Sequence, residues 1–146
     1  MDWHVYLKDK VVFVPTTGAL DEGVYREIEP VAVVPLTNTE GVRRALRATI
    51  ERGNPPAPQY SAGNFPPPVL LKYADAKTWS AFARGALTWS IEQMEGLYQI
   101  VGYRKNAKGY WERDPNQKIE FPAGTETDAV VERMISIMEQ ATTGPQ

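Results

Sequence analysis

Trp3-His4-Val5-Tyr6-Leu7-Lys8-Asp9-Lys10-Val11-Val12-Phe13-Val14 is the stretch on which the fold turns. Trp3, Val5 and Leu7 alternate with His4 and Tyr6, the period of a half-buried strand. Lys8-Asp9-Lys10 is a polar turn, and Val11 to Val14 is β-branched and aromatic, so the segment reads as a hairpin. Tyr25 to Val34 is a further extended stretch. Pro30 inside it marks an edge, a bulge or a break, because proline has no N–H for a sheet ladder. Thr37-Asn38-Thr39-Glu40 then offers helix N-caps. Val42, Leu46, Thr49 and Ile50 share one helical face, and Gly53 with Pro55 beyond it ends the helix.

Further along, the same plan returns. Trp89-Ser90-Ile91 alternates, Glu95-Gly96 turns, and Leu97 to Val101 runs back. Asn106 to Gly109 is a turn. Tyr110 and Trp111 open a strand that meets Asp114-Pro115, and Ile119 to Phe121 follows. Thr125 and Thr127 precede a helix with Val130, Val131, Met134, Ile135 and Met138 on one face. The offsets between the halves are nearly constant. Trp3, Val5 and Val11 match Trp89, Ile91 and Leu97 at 86 residues. Tyr25 and Glu29-Pro30 match Tyr110 and Asp114-Pro115 at 85, and the helix starts match at 88. The expectation is an α+β domain with one or two antiparallel sheets and two main helices. Its halves read as copies of one ββ(β)βα unit, or as two chance instances of a common arrangement.

This organisation divides the chain into a first unit (1–53), a proline-rich connector with a short helix (54–86), a second unit (87–140) and a tail (141–146) expected to fray. Six of the twelve prolines fall between Gly53 and Pro68, which favours extended polyproline geometry. Val69-Leu70-Leu71 reads as a short buried strand. Lys77 to Ala86 reads as one or two helical turns capped by Thr78.

The chain has 146 residues, 42% hydrophobic and 23% charged, within the size of one domain with its own core. No apolar run approaches the ~20 residues that span a bilayer, so no membrane association is expected. Sixteen Lys and Arg against eighteen Asp and Glu leave a net charge of −2. No basic stripe of the kind that binds nucleic acid is present. With no cysteine, thiolate catalysis and zinc–thiolate sites are excluded. The N-terminus begins with an acidic residue and then alternates, unlike a signal peptide, so a cytoplasmic location is expected.

His4 is the single histidine, and any Ser-His-Asp chemistry would have to use it. No metal-ligand spacing and no glycine-rich phosphate loop accompany it, so neither metal nor cofactor is expected. Carboxylates come in pairs: Asp21 with Glu22, Glu27 with Glu29, Glu92 with Glu95. Glu27 and Glu29 have the same strand parity and so face one side. Tyr60, Phe65 and Trp79 lie in or just after the proline-rich loop, where long loops commonly carry function and aromatics serve as interface anchors.

The inventory favours a non-catalytic binder over an enzyme. Asp21, Glu22, Glu27 and Glu29 would steer a protein partner by charge, and Tyr60, Phe65 and Trp79 would anchor it. A small-ligand or peptide-binding module, with residues 53–68 as a lid over a pocket between the halves, is the first alternative. A carboxylate-dependent hydrolase is the second.

The stretches Val12-Phe13-Val14-Pro15-Thr16, Glu29-Pro30-Val31, Arg52-Gly53-Asn54-Pro55-Pro56 and Lys77-Thr78-Trp79-Ser80-Ala81-Phe82, with the size and mild acidity of the chain, give it a class-level resemblance. It resembles the small bacterial immunity proteins that neutralise secreted or contact-delivered toxins. The resemblance implies a toxin domain as the partner and a mode of action by covering the toxin's active site or substrate surface. It assigns no role to any individual residue.

Overall fold

A computed structural model describes residues 1–143, the side chain of Glu22 excepted. Six strands form one antiparallel sheet: β1 (Asp2–Lys8), β2 (Val11–Ala19), β3 (Tyr25–Pro35), β4 (Leu87–Met94), β5 (Leu97–Lys105) and β6 (Trp111–Glu120), in the order β3-β2-β1-β4-β5-β6. The helices are α1 (Thr39–Arg52), α2 (Leu70–Tyr73), α3 (Trp79–Ala83) and α4 (Thr127–Thr143). The chain is thus α+β, with two main helices. None of the described helices is long and apolar enough to cross a membrane.

Both tight hairpins use two residues with positive φ, Asp9-Lys10 and Glu95-Gly96. Such turns match the twist of the flanking strands. Each hairpin fixes its register: Lys8 faces Val11, and Met94 faces Leu97. An offset of 86 residues carries one pair onto the other. β1 and β4 meet antiparallel with Trp3 opposite Ile91, His4 opposite Ser90 and Val5 opposite Trp89. The same offset exchanges these pairs, so an approximate two-fold axis passes through the His4–Ser90 pair. Each half also carries a bulge at nearly matching places, between Val14 and Thr16 and between Val101 and Tyr103. The registers correct one detail. Ala19 faces Tyr25 and Lys105 faces Trp111, so Trp111, not Tyr110, is the counterpart of Tyr25. Past the bulge the offset becomes 87, with Ala32 matched by Ile119. β6 spans Asp114-Pro115, but its ladder with β5 is interrupted there: Arg113 pairs with Tyr103 and the next partner, Lys118, with Val101. As an edge strand it tolerates the missing N–H.

Odd residues of β1 and β4 point at α1 and α4. Trp3, Val5, Leu7, Trp89 and Ile91 join Val42, Leu46, Ile50, Val130, Met134 and Met138 in the main core. The Asn38 side chain caps α1 by accepting from the Gly41 N–H at 3.0 Å. Gly53, at φ 67°, ends the helix, and its carbonyl accepts from the Trp3 indole at 3.2 Å. Thr125 and Thr127 are not hydroxyl caps for α4. The Thr125 hydroxyl donates to Pro122 O, and that of Thr127 bonds Tyr98. α4 continues through Thr143, so residues 141–143 of the expected frayed tail are helical, and 144–146 lie outside the described residues.

The connector passes from the helix side to the opposite face of the sheet. It first lies beside the end of β2, where Ala19 N–H donates to Pro55 O and Ala57 N–H to Ala19 O. Gly18 permits this: a Cβ there would sit 2.7 Å from that of Ala57. α2 and α3 then cover part of the opposite face, burying Tyr6, Phe13, Leu70, Leu71 and Phe82 in a second core. Val69-Leu70-Leu71 is therefore no strand. Residues 70–73 form one helical turn that follows Pro66-Pro67-Pro68, and Pro68 O accepts from the Leu71 N–H at 3.2 Å. Thr78 caps α3, accepting from Ala81 N–H at 3.1 Å.

Candidate functional site

The even residues of β1 and β4 share the face that the connector only partly covers. Asp2, His4 and Tyr6 lie opposite Glu92, Ser90 and Thr88. Strands β2, β3, β5 and β6 add Thr17, Glu27, Gln99, Tyr103 and Arg113, and these side chains form two hydrogen-bonded clusters, one on each side of the two-fold axis.

On the first-half side, His4 Nδ1 donates to Glu27 at 2.9 Å, and Nε2 lies 3.4 Å from Asp2 Oδ2. The Tyr6 hydroxyl donates to the same Glu27 carboxylate. Burial works against an imidazolium here, but hydrogen bonds and charge from Asp2 and Glu27 prevail and raise the His4 pKa from 6.5 to about 10. Burial, reinforced by Glu27, pushes the Tyr6 phenol well above its ordinary value. One oxygen of Asp2, Oδ1, is buried without a hydrogen-bond partner.

On the second-half side, Arg113 clamps Glu92 through two N–H···O bonds of 2.5 and 3.1 Å. Gln99 donates to Glu92 at 2.6 Å and Ser90 at 2.8 Å. Burial raises the Glu92 pKa, but the bonds from Arg113, Gln99 and Ser90 outweigh it, leaving the carboxyl below its ordinary value. Ser90 Oγ also lies 3.2 Å from the Tyr103 hydroxyl.

Chemically this is a set of fixed charges. Both ring nitrogens of His4 face carboxylates and carry protons, so the ring has no lone pair with which to activate a nucleophile. Ser90, beside it in the sheet, is fully buried and bonded to Glu92. The histidine, serine and carboxylates are therefore neighbours without the hydrogen-bond chain of a Ser-His-Asp triad.

A half-open groove of ≈ 450 Å³ adjoins both clusters. Asp2 and Tyr25 line it from the first half, and Glu92, Leu97, Gln99 and Arg113 from the second. Glu95 and Glu120 stand at it as well, with the exposed Met94.

The seven residues expected to meet a partner do not form one surface. Arg26 and Glu27 are strand neighbours and point to opposite faces. Tyr60 and Phe65 are exposed beside Arg26, whose guanidinium lies 4.8 and 5.5 Å from their ring centres. Asp21 is near this loop, accepting from Gln59 at 2.9 Å. Glu27 is instead engaged by His4 and Tyr6 on the other face. Glu29, also there, accepts from Tyr73 at 2.5 Å and lies 3.4 Å from Lys72. Trp79 is half-buried, packed edge-on against Tyr6 and Trp111. The Glu22 side chain lies outside the described residues. Sequence reasoning weighed His4 only as a catalytic or metal-binding candidate, and it passed over Asp2, Ser90 and Arg113. The signal for Asp2, His4 and Ser90 was the alternation itself: polar residues at even positions of β1 and β4, repeated at the 86-residue offset.

No family model matches this chain, and no curated protein does. A solved structure of a Neisseria meningitidis protein of unknown function is similar in fold, with a TM-score of 0.63 at 13% identity, covering 97% of this chain and 95% of that one.

Proposed function

We propose that this is a non-catalytic binding protein, and more specifically an immunity protein that neutralises a cognate bacterial toxin by covering it. One observation carries the binding reading: charges on the uncovered half of the sheet are held in place by mutual hydrogen bonds. Their positions are set before any partner arrives. Preorganised charge favours recognition, because little side-chain freedom is lost on association. The hydrolase alternative has less support, since a bidentate arginine keeps Glu92 ionised rather than poised as an acid.

The toxin assignment rests on the resemblance at the level of class. Its test is co-expression with the C-terminal domain of a secreted protein encoded beside it. Restored growth, together with a purified complex of the two chains, is the expected result. If the neighbouring domain is toxic, and remains so with this protein abundant and folded, the immunity reading falls.

A further inference from the structure

Two groups of prolines lie in the connector, and the fold treats them differently. Around Pro55, Pro56 and Pro58 the backbone is engaged by the chain itself. Pro55 O accepts from Ala19 N–H, Pro56 forms a bridge with Ala19, and Pro58 O accepts from Arg26. Pro66-Pro67-Pro68 follows Phe65 and lies outside any strand or helix. Every residue from Pro58 to Pro68 is exposed. Proline fixes its own φ and extends the residue before it. Phe65, Pro66 and Pro67 each precede a proline, so the run is about one turn of polyproline II helix.

None of the three prolines has an N–H to donate. Among the described residues only Pro68 O is used, by the Leu71 N–H at 3.2 Å; the carbonyls of Phe65, Pro66 and Pro67 receive no hydrogen bond. A stiff spacer between the two faces of the sheet would account for the prolines but not for Phe65, whose ring is 61% exposed. That ring is not left loose. The Arg26 guanidinium lies 5.5 Å from its centre and 4.8 Å from that of Tyr60, and it bonds Pro58 O, so β3 ties down the loop that carries both rings. Order that exists before a partner arrives is not lost on binding.

A ridge of apolar rings and free acceptors selects its complement. Flat aromatic faces pack on proline rings, and a free carbonyl needs a donor; indole N–H and phenol O–H groups supply both. We infer that residues 65–68 are a docking ridge for an aromatic-lined groove on a partner protein, of the kind that reads polyproline helices. Phe65 enters the groove beside the prolines, and its tryptophan or tyrosine side chains donate to the carbonyls of Phe65, Pro66 and Pro67. The ridge is separate from the charged sheet face, so the inference does not rest on the binding reading drawn from that face.

The test is an NMR titration of the whole chain with three isolated polyproline-reading domains: an SH3, a WW and an EVH1 domain. At least one is expected to shift the amides of Asn64, Phe65 and Val69 and to leave those of Glu27 and Glu92 unchanged. Phe65→Ala and Pro67→Ala each lower its affinity about tenfold, the worth of one well-packed contact. Both positions are exposed, and unchanged signals elsewhere verify the fold of each variant. Replacing a groove tryptophan of the bound domain by phenylalanine also weakens binding, because the ring stays and the donor goes. Binding by none of the three domains, shifts at the charged sheet face instead, or affinity indifferent to Phe65→Ala and Pro67→Ala would overturn the inference. Each of those results leaves the preorganised charges and the binding reading standing, and failure of the immunity assignment leaves the ridge untouched.

Discussion

Where the first half meets its connector, Tyr6 and Phe13 are covered by rings from Trp79 and Phe82. At the matching place in the second half, Glu92 and Gln99 stand at an open groove. Backbone registers in the two regions are nearly the same. Strand pairing therefore does not decide whether a sheet face becomes core or surface; two side-chain positions largely do. Even the polar contacts correspond. Tyr6 bonds Glu27 in one half, and Glu92 bonds Arg113 at the same offset in the other. The first contact is a phenol donating to a carboxylate, the second an ion pair.

If the connector's docking place is core and the groove is surface, truncation separates them sharply. Phe13→Ala costs about 3–5 kcal/mol of stability, as for other buried aromatics. Gln99→Ala stays within about 1 kcal/mol, the worth of one hydrogen bond to a charged partner that Arg113 still holds. Similar losses in urea unfolding would break the comparison.

Proton linkage sharpens it further, because the halves respond to opposite ends of the pH scale. The folded pKa of His4, about 10, lies above its unfolded value of 6.5. Its contribution is complete below about pH 6.5 and is lost as pH rises toward 10, on the order of a few kcal/mol. Glu92 is the reverse: with its folded pKa below 4.5, its contribution is present above that value and lost as pH falls through the folded pKa. His4→Gln should flatten the alkaline limb of a stability–pH curve, and Glu92→Gln the acid limb. The histidine ring itself, followed by NMR, should titrate near 10 and move down in Glu27→Gln.

The smallest expected difference lies at the helix starts. Asn38→Ala removes the α1 cap and costs about 1 kcal/mol. Thr125→Ala at the start of α4 costs less, since its hydroxyl serves Pro122 O and no helix N–H. Thermal melts of the two variants measure the gap.

Much of this architecture is written locally. Alternation in residues 3–7 and 89–91 places the strands, Asp9-Lys10 and Glu95-Gly96 place the turns, and Asn38 and Gly53 bracket α1. What is not local escapes such reading. A run of three apolar residues at 69–71 has the composition of a strand or a helical turn, and only packing on Phe13 selects the latter. Glu27 and Glu29 share a face as their parity requires, yet what meets them there, His4 in one case and Tyr73 in the other, depends on pairings 23 and 44 residues distant. The groove follows from comparing the halves, once the registers show which residues correspond.

Prolines at the margins of the sheet have a consequence for assembly. β3 and β6 are its two edges, and each carries proline: Pro30 and Pro35 in one, Pro115 in the other. β6 adds Glu112, Arg113, Asp114, Lys118 and Glu120. Missing N–H donors and a dense row of charges make both margins poor templates for another chain's strand. The sheet is thereby closed to edge-to-edge polymerisation, although neither margin is capped by a further strand. Neighbours are steered instead toward its broad faces, one sealed by helices and the other only half covered.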